Sequence, residues 1–171
     1  MDAWLDRLRR EIEDTTQGLS AADWSRAPQG RWNAAQILEH LGRSYGGTAK
    51  MLELSLGSGG APQVRAAKLS EWMMKTLIVG LGIFPSGGKA PAFVTPQGEA
   101  GPDALKRALS GLERMKVAIA AAEERWGSRE PVAMHFLLGP MNPGQWRKFH
   151  YLHGHHHLQQ MRERLGNRAG G

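Results

Sequence analysis

Five of the seven histidines lie close together, between His150 and His157. They follow the segment 142–145, Asn-Pro-Gly-Gln, a typical helix start with a capping Asn, Pro at the first helical position and Gln at the third. On a helix with about 100° per residue, four of them share one face: His150, His153, His156 and His157. His155 points to the opposite side. Because unpaired imidazoles are costly to bury, the fold must provide partners for this face.

Apolar residues recur at helical spacing along most of the chain, and no alternating strand pattern of useful length is present. The predicted helices cover approximately residues 1–18, 33–57, 63–82, 102–126 and 142–166. Ser20 and Asp23 predict a short capped turn. Residues 84–101, rich in Gly and Pro, predict a long irregular connection, and residues 127–141 a further loop.

These elements predict an all-α fold, a four-helix bundle. An extra helix and the long irregular connection separate its second and third bundle helices. A length of 171 residues suits one domain, which we expect to span residues 1–166, with a flexible tail at 167–171.

Composition excludes several classes of function. The chain contains no cysteine, which excludes disulfides, thiolate metal ligands, Fe–S clusters and a cysteine nucleophile. The start of the chain lacks the basic and apolar regions of a signal peptide, and the longest apolar stretch, 77–84, is too short to span a membrane. We therefore expect a cytoplasmic protein with no membrane partner.

The net charge of +6 raises nucleic acid as a partner. However, the Lys and Arg residues are scattered through every segment, and no helix-turn-helix signature is present. Scattered charge is typical of a solvated surface, so the sequence favours a small-molecule substrate over nucleic acid. A homodimer is compatible with a small bundle, but no residue demands one.

The spacing of His153 and His157 is that of two imidazoles on one helix face that bind a single metal ion. A third histidine from another helix would close three positions and leave others open. His40 is the natural candidate, because it lies in the second turn of the second predicted helix. Neutral imidazoles suit Zn, Ni or Fe(II) without selecting among them. The alternative is that these histidines bridge a polar core or form a solvated run.

Other polar residues surround this candidate site in the sequence. Gln160 and Gln36 lie one helical turn from His157 and His40 and could orient them, although a capping role suits Gln36 equally well. His156 and His150 are candidates for supporting groups or for an acid/base pair, with packing favoured for His150. Glu39, adjacent to His40, points about 100° away from it and is not placed to act as a general base.

Two segments resemble motifs of the DinB-like superfamily. Residues 31–41, Arg-Trp-Asn-Ala-Ala-Gln-Ile-Leu-Glu-His-Leu, resemble its second-helix motif, Trp-Ser/Asn followed by Glu-His-Leu. Residues 153–160, His-Gly-His-His-His-Leu-Gln-Gln, resemble its last-helix motif, His-x-x-His-His-x-x-Gln. The segment 135–146 is similar to an uncharacterised branch in which His-Pro-x-x-Gly precedes a Trp-bearing helix, but Phe136 replaces the proline here.

The resemblance implies a DinB/YfiT-like four-helix bundle with a metal on His40, His153 and His157. Relatives of this type are metal-dependent transferases or isomerases that use bacillithiol, mycothiol or glutathione, and some are described as hydrolases. It therefore implies an open three-His divalent metal site that activates a low-molecular-weight thiol or water. The alternative is a non-catalytic bundle that binds small molecules or oligomerises, with a vestigial or structural metal site. The resemblance leaves open the roles of His135 and of the 84–101 connection.

Overall fold

The computed structural model describes residues 2–85 and 90–166, which are mostly helical. Its helices are α1 (Ala3–Thr16), α2 (Ala21–Ser25), α3 (Ala34–Gly57), α4 (Leu69–Lys75), α5 (Gly101–Trp126) and α6 (Pro143–Gly166). The shorter elements are a π-helical turn (Thr76–Gly80), a 3-10 turn (Ala92–Val94) and the strands β1 (Ala133–His135) and β2 (Gly139–Met141). Within the described ranges, no helix is long and apolar enough to cross a membrane. The tail expected at 167–171 lies outside the described residues.

Reciprocal hydrogen bonds fix the starts of α3 and α6 where the sequence predicts them. Asn33 Oδ1 accepts from the Gln36 amide at 2.8 Å, and Gln36 Oε1 accepts from the Asn33 amide at 3.0 Å. Asn142 and Gln145 form the same pair at 2.9 and 3.0 Å. Each pair satisfies two amides that the helix leaves free, so the positions of both helices are encoded locally.

The helix expected over 63–82 is shorter than predicted. Only Leu69–Lys75 is α-helical, followed by the π-helical turn. Glu71, which is buried, accepts from the Lys68 amide at 2.8 Å and from both ends of the Arg65 guanidinium, and this holds residues 65–68 extended against α4. Trp72 and Met73 remain more than half exposed. Ile78 and Val79 are buried, but they belong to the π-helical turn, so the α-helical part lacks the burial that normally stabilises a long helix.

Residues 127–141 contain a small antiparallel hairpin, so the expectation of no strands is wrong for this loop. Ala133 pairs with Met141 and His135 with Gly139. Gly139 has a φ of +70°, a backbone conformation that suits glycine. Strands of three residues are too short to show an alternating pattern, which explains why the sequence does not reveal them.

The core lies between the long helices. Helix α3 packs mainly on α5 and α1 mainly on α6, with further contacts of α6 to α3 and α5. The largest fully buried side chains of this core are Leu5, Leu8, Ile12, Ile37, Leu38, Leu41, Tyr45, Leu52, Leu112, Met115, Ile119 and Trp146. Glycines allow α3 and α5 to approach closely: a Cβ on Gly42 would lie 3.0 Å from the Ala108 nitrogen, and one on Gly111 would lie 3.1 Å from the Gly42 carbonyl oxygen. Helix α3 is thereby held at a fixed distance from α5.

Substitution of Gly42 by Ala tests this close approach. We expect Gly42→Ala to lower the free energy of unfolding by about 1–3 kcal/mol, because the new methyl group meets the backbone of α5. Gly47→Ala is the matched control on the same helix, since no atom from elsewhere in the described residues would lie within 4 Å of the new Cβ. It should stabilise the chain by about 0.5–1 kcal/mol through helix propensity. Urea unfolding measures both, and equal effects of the two substitutions would contradict the close approach.

Candidate metal centre

Three imidazoles from two helices converge on one point. His40 comes from α3, and His153 and His157 come from α6; we call them the histidine trio. The Nε2 atom of His153 lies 3.2 Å from Nε2 of His40 and 3.1 Å from Nε2 of His157. All three ligand atoms lie within 4.8 Å of one another, so the trio could hold a metal ion. The i, i+4 spacing on α6 places two of them, and the contact of α6 with α3 provides the third.

Hydrogen bonds on the far side of two rings fix their tautomers. Nδ1 of His40 lies 3.0 Å from the carbonyl oxygen of Val94, which can only accept, so Nδ1 carries the proton. Nδ1 of His157 likewise donates to Oε1 of Gln160 at 3.1 Å. The same amide group donates from its nitrogen to Nε2 of His156 at 2.9 Å. The Nε2 atoms of His40 and His157 are therefore unprotonated, and each directs a lone pair toward the nearby Nε2 of His153.

The trio fits a divalent cation. An ion bound by imidazole nitrogens at about 2.0–2.1 Å has neighbouring ligand atoms roughly 2.9–3.4 Å apart, and the two observed distances, 3.2 and 3.1 Å, fall in this range. A proton on Nε2 of His153 could satisfy only one of the two facing lone pairs. Nδ1 of His153 is buried and has no hydrogen-bond partner among the described residues. A cation bound by the three Nε2 atoms satisfies all three lone pairs at once and leaves the proton of His153 on Nδ1, and the donor set suits Zn, Ni or Fe(II).

Aromatic rings enclose the trio. The Trp32 ring lies 5.0 Å from the His40 ring and 6.3 Å from that of His157. Phe149 stacks parallel to His153 at 5.5 Å, and Phe84 lies 6.2 Å from the same imidazole. His40 is buried, whereas the other two histidines are partly exposed. Apolar side chains therefore surround the trio, and its solvent-exposed surface belongs to the two α6 imidazoles.

This surround keeps the trio neutral. Burial lowers the pKa of His157 to about 3 and the pKa of His40 below its usual value. Burial, reinforced by the neighbouring imidazoles of His157 and His40, holds the pKa of His153 well below the ordinary range. Imidazoles bind metal ions only when deprotonated, so these three are ready to coordinate at neutral pH.

Only some of the supporting residues that the sequence suggests lie beside the trio. Gln160 contacts the trio through His157. His156 contacts Gln160 and also meets the His157 ring edge-on at 5.6 Å, with its own ring stacked on Phe84 at 5.0 Å. Gln36 caps α3 instead and is engaged with the Asn33 amide. Of the two glutamines, Gln160 is therefore the one in a position to orient a ligand.

His150 lies in a different polar cluster. It is fully buried, and its Nε2 lies 3.0 Å from Oγ1 of Thr48. Its ring stacks on Trp146 at 5.7 Å and contacts the edge of Tyr45 at 5.5 Å. Burial lowers the pKa of His150 to about 3. These contacts give His150 a packing role, and it is not placed to exchange protons with a substrate.

The two remaining histidines face elsewhere. Nδ1 of His155 lies 2.7 Å from Oε2 of Glu11 on α1, on the side of α6 opposite the trio, as the helical wheel predicts. Nδ1 of His135 accepts from the amides of Leu137 and Leu138 at 3.1 and 3.2 Å and so shapes the hairpin turn. The His135 ring lies 4.7 Å from Phe149, which in turn stacks on His153. The hairpin thus packs against the trio through the Phe149 ring.

Glu39 has a role that the sequence analysis missed. Its carboxylate is almost fully buried and accepts hydrogen bonds from the amides of Gln97, Gly98 and Glu99 at 2.8, 3.0 and 3.0 Å. Arg43 donates to the same group at 3.0 Å. Both oxygens are therefore occupied, which agrees with the expectation that Glu39 is no general base. Its three amide partners are distant in the sequence, so no local pattern reveals them.

Burial of His150 predicts a pH dependence of stability. Burial holds the folded pKa of His150 at about 3, below the ordinary histidine value of about 6.5, so the unfolded chain binds this proton more readily than the folded one. The free energy of unfolding should therefore fall as the pH drops below 6.5, by up to about 1.4 kcal/mol per pH unit from this group. The double variant Thr48→Val/His150→Leu removes both hydrogen-bonding partners and should show a correspondingly shallower slope.

Urea unfolding of the metal-free protein at several pH values between 7 and 5 measures this slope. Thr48→Val alone is the control, because it keeps the imidazole and should keep the slope. An unchanged slope in the double variant would contradict a neutral, buried His150.

Comparison with known proteins identifies a family. The family model "Protein of unknown function (DUF1569)" matches residues 6–164, a range that includes the whole histidine trio. No curated protein and no solved structure matches the chain. Because the family model covers nearly the entire sequence, the chain belongs to the DUF1569 family.

Proposed function

We propose that this chain is a DinB/YfiT-like four-helix bundle whose histidine trio holds a divalent metal ion, and that it is a metal-dependent enzyme of the transferase, isomerase or hydrolase type. The observation that carries the proposal is the convergence of the three Nε2 atoms. Two of them, in His40 and His157, are unprotonated because Val94 and Gln160 hold the ring proton on Nδ1. The order and spacing of the motifs at 31–41 and 153–160 support the superfamily assignment.

The chain's own residues would supply binding and orientation. Three protein ligands leave further coordination positions open, as in catalytic metal sites. A divalent cation at this position lowers the pKa of a thiol or water bound to it, so that the nucleophile is ionised at neutral pH. Gln160 keeps His157 in the coordinating tautomer, while Trp32 and Phe84 limit the access of water to the imidazoles. The chain has no cysteine, so a thiol nucleophile would have to come from a separate molecule.

Charge near the trio favours an anionic substrate. Arg164 donates a hydrogen bond to the carbonyl oxygen of Trp32, whose ring covers His40 and His157. The guanidinium thus lies near the approach to the trio, on a chain with a net charge of +6. Together with the charge of a bound cation, it would attract small molecules that carry a carboxylate or a thiolate.

A second candidate function is a non-catalytic protein with a structural metal site. Close packing of Trp32, Phe84 and Phe149 around the trio favours it, because these rings restrict the space for a substrate. The two candidates share the metal and differ in turnover.

Metal analysis of protein purified without an affinity-nickel step tests the shared part. We expect about one divalent ion per wild-type chain. His153→Ala and His157→Ala should lower the metal content to below about a tenth of this value, because two imidazoles alone bind weakly. His155→Ala is the matched control on the same helix, since this imidazole contacts Glu11 on the other side. A wild-type chain without stoichiometric metal, or full retention in His153→Ala and His157→Ala, would refute the metal site.

An activity screen separates the two candidates. Metal-loaded protein is assayed with bacillithiol, mycothiol and glutathione against a panel of electrophiles, and with ester and amide substrates for hydrolysis. We expect turnover with at least one thiol or with water, and its loss in His157→Ala but not in His155→Ala. Tightly held metal without turnover across the panel would favour the structural site.

A further inference from the structure

Two consecutive residues of α3 hold one segment of the long connection. Glu39 accepts from the amides of Gln97, Gly98 and Glu99, and His40 donates from Nδ1 to the carbonyl oxygen of Val94. We call residues 91–99 the strap. The carboxylate thus binds one end of the strap while the adjacent imidazole binds its middle.

Only Thr95 and Pro96 separate Val94 from Gln97, and the Gln97 side-chain amide donates to the Thr95 carbonyl oxygen at 3.3 Å. The amides of Val94 and Thr95 donate to the carbonyl oxygens of Pro91 and Ala92 at 3.1 and 3.2 Å, which forms the 3-10 turn. At the end held by Glu39, Arg107 of α5 also binds the Glu99 carboxylate at 2.7 and 2.9 Å. A movement of residues 97–99 would therefore be transmitted to the Val94 carbonyl rather than absorbed by a flexible loop.

We propose that Glu39 is a positioning residue for the histidine trio. By holding residues 97–99 against α3, its carboxylate keeps the Val94 carbonyl in line with Nδ1 of His40. This contact keeps the proton on Nδ1 and leaves Nε2 of His40 as a lone pair aimed at the trio. The inference rests on the proposed function for its consequence, metal binding, but its structural part concerns the tautomer of His40 alone.

The chemistry of the site requires an ionised carboxylate. Glu39 receives four donors on two oxygens, three amides and the Arg43 guanidinium, and is 1% exposed. A glutamine would keep one oxygen and turn an N–H group toward amides that also donate. All four donors point at the two oxygens, which fits an ionised carboxylate, since a protonated carboxyl would itself carry a donor. The carboxylate is therefore charged at neutral pH and grips the strap through charge-assisted bonds.

The chain offers a matched control in Glu71. This second buried carboxylate also accepts a backbone amide, that of Lys68, and pairs with Arg65. None of these contacts involves the strap or the trio. Glu71→Gln therefore removes a comparable buried charge without an effect on His40.

The first readout is the tautomer of His40 in the metal-free protein, measured by nitrogen–proton NMR correlation of the imidazole ring. In the wild type and in Glu71→Gln, the proton should reside on Nδ1. In Glu39→Gln, the released Val94 carbonyl should shift the ring toward the Nε2-protonated tautomer. This measurement needs no metal, so its outcome stands even if the wild type binds none and the proposed function fails.

The second readout is the affinity for Zn²⁺, measured by competition with a chelator. We expect Glu39→Gln to weaken binding about 10–100-fold, the usual effect of losing a group that orients a metal ligand, and Glu71→Gln to change it less than about threefold. Glu39→Asp keeps the charge but shortens the reach, so both of its readouts should fall between those of the wild type and Glu39→Gln.

Circular dichroism checks that each variant is folded. A folded Glu39→Gln with the wild-type tautomer and affinity would overturn the inference. If Glu39→Gln does not fold, Glu39→Asp decides in the same way: a wild-type tautomer and affinity in that variant would overturn the positioning role.

Discussion

Unprotonated imidazole nitrogens between α3 and α6 impose the constraint that the rest of the candidate site depends on. Lone pairs at 3.1–3.2 Å repel one another unless a proton or a cation lies between them, and their burial removes the alternative of solvation by water. The inner face of α6 is therefore stabilised by polar partners as much as by apolar contact. His150 lies beside Thr48 and His157 beside Gln160, whereas the facing Nε2 atoms of His153 and His40 need a proton or a cation between them.

These partners also determine how α6 lies on α3. His150 contacts Thr48, whereas the later residue His153 contacts the earlier residue His40, so the two helices run antiparallel with the polar pairs between them. Gly154 allows the close contact of α6 with α1, because a Cβ there would lie 2.6 Å from Leu8. The same Cβ would lie 2.7 Å from the Tyr45 hydroxyl, so Gly154 also lets α6 lie close to α3, the helix that carries His40.

The features that the sequence predicts well are those whose cause is local. Capping pairs such as Asn33 with Gln36 act across three residues, and the i, i+4 spacing of His153 and His157 follows from helix geometry alone. The segment 63–82 was harder to predict, because apolar content does not show whether a helix has a partner to pack against. The hairpin at 133–141 has strands too short for periodicity, and its turn depends on His135 accepting two amides.

Glu39 shows most clearly what a helical wheel can and cannot provide. The wheel directs its carboxylate away from His40, which argues against Glu39 as a general base for the trio. It does not show what the carboxylate meets there, because the three backbone amides that bind Glu39 lie 58 to 60 residues further along the chain. The structure places there the same strap that holds His40 from the other side. A residue that points away from a candidate site can therefore still control it, when the segment it binds returns to the site through the backbone.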